Sequence, residues 1–124
     1  MAAHEQGVFM ITRTGDMQAE IRGNMRGGKG AVRLEHWFRP EAFGTKVRLC
    51  ARMTLAPGSS IGSHTHAGED EIYLVLSGSG LIQENGEWVP IRTGDAILTG
   101  QGGTHGVENN GAEPLVIAAV ILLY

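Results

Sequence analysis

The chain has a single cysteine, Cys50, among 124 residues. No internal disulfide is possible, which fits a reducing compartment and predicts a cytoplasmic protein. Its strand-like neighbours Leu49 and Ala51 point to a packed thiol rather than a nucleophile. Met1 to Met10 lacks a positive segment followed by an apolar one, so nothing there reads as a secretion signal. His4 reads as part of a mobile terminus. Long apolar runs are missing too: Leu115 to Tyr124 has only about half of the roughly 20 residues a membrane helix needs. Net charge is −3, with no basic cluster of the kind a phosphate backbone demands. The densest cationic stretch, Arg22, Arg26, Lys29 and Arg33, is broken by glycines and reads as a solvated loop. Nucleic acid and membrane are therefore not expected as partners. Repeats, low-complexity segments, linkers and long helical periodicities are also lacking, and no helix-turn-helix signature is present.

What is abundant is glycine. Nineteen glycines are about twice the average share of roughly 7 %. With an ordinary apolar fraction of 42 %, many short apolar runs and frequent glycines imply one all-β domain. Val8 to Thr12 reads as a short first strand. Gly15 to Gly30 reads as an arm or loop, because three glycines in the four residues from Gly27 would cripple a helix. We therefore expect residues 1–30 to form a strand and glycine-rich arm, and residues 31–124 a single barrel.

Ala31 to Phe38 places Val32, Leu34, His36 and Phe38 on one face. Lys46 to Ala56 alternates cleanly, with Val47, Leu49, Ala51, Met53 and Leu55 against Arg48, Cys50, Arg52 and Thr54. Such period-two alternation marks half-buried strands. Further strands are expected over Glu71 to Leu76, Leu81 to Glu84, Glu87 to Ile91, Asp95 to Thr99, Gly106 to Glu108 and Leu115 to Leu123. Asn85-Gly86 is a strong two-residue hairpin signal. Nine or ten strands without a substantial helix imply a closed or sandwiched β-barrel. Two strands are apolar on both faces: Ile72, Leu74 and Leu76 lie opposite Tyr73 and Val75, and Leu115 to Leu123 has almost no polar residue. An outer face of that kind needs a cover, and a second copy supplies it, so a homodimer is expected.

The chemistry sits in two segments. The first runs Gly58, His64, His66, Glu71, Gly78. Residues two apart on a strand share a side, so His64 and His66 project two imidazoles into one space. Glu71 opens the next strand, where a carboxylate can face the same space. Two imidazoles and a carboxylate with open positions left over suit non-haem iron and related divalent ions. The second segment runs Gly94, Gly100, Gly102, His105, Asn109 and supplies a third imidazole after a glycine-rich turn.

Together these segments resemble the paired motifs of the cupin superfamily. The first matches at all its marked positions. The second matches at Gly94, Gly102, His105 and Asn109 and departs at Gly100, where the family pattern has proline. The resemblance covers Gly58 to Asn109. It implies a double-stranded β-helix (jelly-roll) barrel, usually dimeric. It also implies one divalent manganese, iron, nickel, zinc or copper ion on His64, His66, Glu71 and His105. Asp70 is an alternative to Glu71, since the family tolerates three or four intervening residues, but Glu71-Ile72-Tyr73 opens the apolar run and favours Glu71. Some metal-dependent lyases of the family resemble this chain in placing a tyrosine near the metal as base, and Tyr73 occupies such a position. The competing reading of Tyr73 is a core tyrosine bonded locally. His36 reads as a strand or pocket residue, and Asn109 as a turn pin.

Met53, Val75 and Ile97 are expected to line the pocket, with Arg26 or Lys29 over its mouth. Three neutral imidazoles and one carboxylate on a divalent ion leave about one positive charge. Such a centre favours a small anionic, oxygen-rich ligand such as a carboxylate, an oxo or hydroxy acid, an enolate or a diol. The expected function is a metal-dependent enzyme on such a metabolite, acting as lyase, isomerase, decarboxylase or dioxygenase. The alternative is a non-catalytic module that binds the small molecule.

Overall fold

The computed structural model describes residues 7–124, so His4 lies outside the described residues. Ten strands follow one another: β1 (Gln18–Gly23), β2 (Ala31–His36), β3 (Val47–Leu55), β4 (Ser60–Thr65), β5 (Glu69–Ser77), β6 (Ser79–Glu84), β7 (Glu87–Arg92), β8 (Ala96–Gly100), β9 (Thr104–Glu108) and β10 (Leu115–Leu123). Short 3₁₀ turns are the only helical elements among the described residues. The strands form two antiparallel sheets, one in the order β1-β2-β3-β10-β5-β8 and one in the order β4-β9-β6-β7. The two sheets enclose a jelly-roll barrel.

The alternation read from the sequence fixes which face turns inward. Val32 and Leu34 of β2, Met53 and Leu55 of β3, Tyr73 and Val75 of β5, and Leu115, Ile117 and Ala119 of β10 are buried. They meet Ile61, Ile82, Ile91 and Val107 of the smaller sheet in one cluster. Each large side chain there contributes roughly 1.5–3 kcal/mol on leaving water. Asn85 and Gly86 both have positive φ, 49° and 93°, as the tight turn between β6 and β7 requires. Asn109 is fully buried and pins a loop, donating from Nδ2 to the carbonyls of Leu55 and Glu113 and accepting from the Gly111 amide.

Several expectations are corrected. Val8 to Thr12 forms no strand. Phe9 is 87 % exposed, and Val8 and Met10 lie in a shallow groove with Phe38 and Phe43 instead of on a sheet edge. Within Gly15 to Gly30, Gln18–Gly23 is strand β1, paired antiparallel with all of β2. Its pattern is inverted: Ile21 is 61 % exposed, while Glu20 and Arg22 border the barrel cavity. Arg48 does not stay on the outer face of β3. Ile121 pairs with Leu49, and the next residue, Leu122, pairs with Val47. Arg48 is thus the extra residue of a β-bulge, a device that re-aims a side chain, and it turns to the cavity mouth.

The interior is divided along its length. Along β5, Val75 and Tyr73 belong to the apolar cluster, and Glu71 and Glu69, also buried, continue the same inward row toward the mouth. Along β9, Val107 is followed inward by His105. One end of the barrel is apolar core; the other is polar.

Candidate metal centre

The polar end depends on a second bulge. Ile61 faces inward and is 2 % exposed. Strict alternation would send Ser63 inward next and His64 outward. Ile61 pairs with Val107 and His64 with His105, three steps on β4 against two on β9. The extra residue at Gly62-Ser63 resets the alternation, so His64 and His66 face the interior. Glycine is required there because a Cβ on Gly62 would collide with the backbone oxygen of Arg26. Gly28 packs as closely on Ser60. Lys29 and Ser60 add two hydrogen bonds, from the Ser60 amide to the Lys29 carbonyl and from the Lys29 amide to Ser60 Oγ. The glycine-rich arm is therefore a fixed brace on the histidine-bearing strand.

The turn before His105 is held equally well. The Gly102 amide donates to the His66 carbonyl and the His66 amide donates to the Gly103 carbonyl. Glycine replaces proline at position 100 because the Asp70 side chain occupies the space a Cβ would need. Asp70 itself accepts a hydrogen bond from the Tyr124 hydroxyl. Glu71, and not Asp70, therefore joins the histidines.

His64, His66, Glu71 and His105 offer ligand atoms that all lie within 4.8 Å of one another. Their hydrogen bonds fix the imidazole tautomers. His64 Nδ1 lies 2.7 Å from the Gly62 carbonyl, which can only accept, so Nδ1 carries the proton. His66 Nδ1 donates to Glu69 Oε1 at 2.7 Å. His105 Nδ1 donates to Thr99 Oγ1 at 2.9 Å, because that hydroxyl spends its own proton on Glu84. All three Nε2 atoms therefore present lone pairs inward. His66 Nε2 and His105 Nε2 are 2.9 Å apart, and His105 Nε2 and His64 Nε2 3.2 Å. Glu71 Oε1 lies 3.0 Å from Nε2 of both His66 and His105. With Nδ1 holding the proton in each ring, neither Nε2 of a pair has a proton to give the other, and Glu71 Oε1 is a buried oxygen with no hydrogen-bond partner.

Lone pairs facing one another repel unless a cation lies between them. Donors bound to one ion at about 2.0–2.2 Å, at right angles to each other, stand about 3 Å apart. The residues fit a divalent ion. Burial, foremost, pushes the His64 imidazole below its ordinary range, which favours the neutral, ligating form.

Around these four lie supports that sequence reasoning missed. Glu69, the first residue of β5, is 8 % exposed. It orients His66 and is itself held by Arg48, whose Nε and a terminal nitrogen donate at 3.0 and 2.7 Å. The Arg48 guanidinium, with help from His66, holds the Glu69 carboxyl below the usual carboxylate range. Thr99 and Glu84 do the same service for His105. Motif spacing gives no signal for either relay, because both partners arrive from other strands.

His64, His66 and Glu71 border a cavity of about 260 Å³. Four arginines border it, Arg22, Arg26, Arg39 and Arg48, together with His36 and Glu20. Arg22 was expected to be a solvated loop charge, yet it borders the cavity, and so does Arg26, one of the two residues expected at its mouth. Lys29 does not border the cavity. Of the expected apolar walls only Met53 does; Val75 and Ile97 belong to the core. Tyr73 borders the cavity and stacks on the His105 ring, with centroids 4.9 Å apart. Burial above all, then the Glu71 carboxylate, push its phenol well above the ordinary value. No described helix is long and apolar enough to cross a membrane.

Comparison with known proteins agrees with this geometry. An "Oxalate-binding protein" of Thermotoga maritima is 46 % identical over 119 residues, covering 96 % of this chain and 98 % of that protein. A crystal structure described as a predicted oxalate decarboxylase from Thermotoga maritima superposes with a TM-score of 0.89 at 47 % identity, over 93 % of this chain and all of that one. The polyketide cyclase RemF from Streptomyces resistomycificus shares the fold, with a TM-score of 0.76 at 19 % identity over 92 % of this chain and 78 % of its own. The cupin-domain family profile matches residues 51–121. The matched span runs from β3 to β10 and holds all four converging side chains: this chain belongs to the cupin family.

Proposed function

We propose that this chain holds one divalent transition-metal ion on His64, His66, Glu71 and His105, and binds on that ion a small dicarboxylate of the oxalate class. One observation carries the reading. Three lone pairs committed inward and an unpartnered buried carboxylate oxygen converge beside a cavity bordered by four arginines. The donor set of three neutral imidazoles and one carboxylate leaves the ion about one positive charge, and the arginines add to it. A divalent ion there supplies a Lewis acid for carboxylate oxygens. The "Oxalate-binding protein" of Thermotoga maritima supports this ligand class. The test is equilibrium dialysis with labelled oxalate. The metal-loaded protein should bind one oxalate per chain and the chelator-stripped protein none. Equal binding by both forms would overturn the reading.

A catalytic form of the reading rests on Tyr73, whose ring borders the cavity beside His105. Cleaving the carbon–carbon bond of oxalate releases carbon dioxide, and the remaining carbon must take up a proton. In this reading the Tyr73 hydroxyl gives it. A positioned acid contributes roughly 10²–10⁴-fold. Tyr73→Phe should therefore lower turnover at least 100-fold, by that scale, with metal content unchanged. Unchanged turnover makes Tyr73 a core residue and leaves the chain a binding module.

We also propose a homodimer. Leu74, Leu76 and Leu98 are 44 %, 44 % and 68 % exposed on the outer side of β5 and β8. Light scattering should give twice the 13.2 kDa chain mass, and a monomeric mass would refute it.

A further inference from the structure

We infer that the cavity carries a second polar subsite, formed by His36, Arg22 and Arg39, that takes a distal carboxylate, so that the preferred ligand is a 2-hydroxy or 2-oxo dicarboxylate longer than oxalate. The inference rests on the proposed metal and acid binding and extends it to the other end of the cavity.

His36 faces inward at the end of β2, with its side chain only 8 % exposed. Its Nε2 has no hydrogen-bond partner. Glu20 Oε2, at 3.6 Å, is beyond hydrogen-bond reach. A buried polar nitrogen left unpaired is costly, and His36 borders the cavity, so a ligand group there would satisfy it. The charge around it selects the kind of group. Glu20 is tied to Arg22 and held below the usual carboxylate range chiefly by that guanidinium. Arg39 and Arg26 border the same cavity and make no ion pair among the described residues. The mouth is therefore cationic on balance.

Register places this group well away from the metal ligands. His36 pairs with Ala51, Ala51 with Ala119, and Ala119 with Tyr73, which stacks on His105. Three strand-to-strand steps of about 4.8 Å make roughly 14 Å of backbone path around the curved wall; the side chains at both ends point inward into one cavity, so the gap left for a ligand between their tips is much shorter than that path. The two residues between are alanines, so the row between the ends stays low. Oxalate has two directly joined carboxylates and spends both on one ion. It leaves nothing for His36. A 2-hydroxy acid binds an ion through its hydroxyl and first carboxylate, and a second carboxylate on the same chain extends toward the arginines.

The experiment is calorimetric titration of the metal-loaded protein with lactate, malate, 2-hydroxyglutarate and oxalate. Lactate has the metal-binding head without the distal carboxylate. The better of the two hydroxy diacids should bind at least tenfold more tightly than lactate. His36→Ala and, separately, Arg39→Ala should each remove most of that advantage. In His36→Ala, metal content, oxalate binding and lactate binding should stay unchanged, which also shows that this variant folds; Arg39→Ala should weaken the better diacid by a larger factor than it weakens oxalate or lactate. Equal affinity for lactate and both diacids, or variants that weaken all four acids alike, overturns the subsite. Failure of oxalate and lactate themselves to bind the loaded protein would instead overturn the proposed function, and the subsite with it.

Discussion

Replacing Glu69 by glutamine tests how far the site depends on a residue that never touches the ion. Glu69 Oε1 accepts both the His66 Nδ1 proton and an Arg48 terminal nitrogen, each at 2.7 Å, and Oε2 accepts from Arg48 Nε at 3.0 Å. Glutamine has nearly the same shape but only one accepting oxygen. If that oxygen faces His66, the amide NH₂ points at the Arg48 guanidinium, donor against donor. If it faces Arg48, the NH₂ points at His66 Nδ1 and favours the other tautomer, with a proton on Nε2 where a lone pair is needed. Either rotamer loses a charge-assisted hydrogen bond, about 1.5–3 kcal/mol. That corresponds to roughly 10–100-fold in metal affinity, the range found for carboxylates behind ligating histidines. Competition against a fluorescent chelator reads the affinity, and circular dichroism confirms the fold. Wild-type affinity in Glu69→Gln would refute the claim that Glu69 fixes the ligating form of His66.

Two further outcomes follow from other parts of the fold. Gly62→Ala places a Cβ against the Arg26 backbone oxygen, and neither strand nor arm can yield cheaply. It should destabilise by about 1–3 kcal/mol, seen as a fall in Tm of roughly 4–15 °C, whereas an unchanged Tm would show that the brace is loose. Glu35, on β2 away from the cluster, is held below the usual carboxylate range first by its hydrogen bonds from Arg52, which burial opposes and Arg33 assists. A depressed folded pKa contributes stability that is present above the unfolded value, about 4.3, and is lost as pH falls through the folded one. Glu35→Gln should therefore be less stable than wild type at pH 7, by less than about 1 kcal/mol, and the gap should close in acid. Urea titrations at both pH values check it; a gap that persists in acid would mean the carboxylate charge is not its source.

Much of the barrel was legible because alternation and turn chemistry are local. The clean period of β3, the Asn85-Gly86 hairpin and the His64/His66 pair needed no tertiary knowledge. What escaped depends on partners distant in sequence. Strand β1 has its polar residues turned to the cavity and Ile21 turned to solvent, so its pattern reads as loop until β2 is seen beside it. The bulge at Gly62-Ser63 shifts the alternation by one residue and the one at Arg48 re-aims a single side chain, and only the register with β9 and β10 shows them. Glu69 holds no marked motif position and becomes visible only through His66 and Arg48. Arg22, Arg39 and Arg48 come from three separate segments, and folding alone gathers them at one mouth.

The central claim is that four side chains exist to hold one ion. Stripping the full-length protein with a chelator, titrating it with divalent ions and measuring bound metal by mass spectrometry tests that claim most directly. One equivalent per chain should bind to the wild type, and none to His64→Ala/His66→Ala at the same free-metal concentration. Stoichiometric, equally tight binding by the double variant would contradict the account.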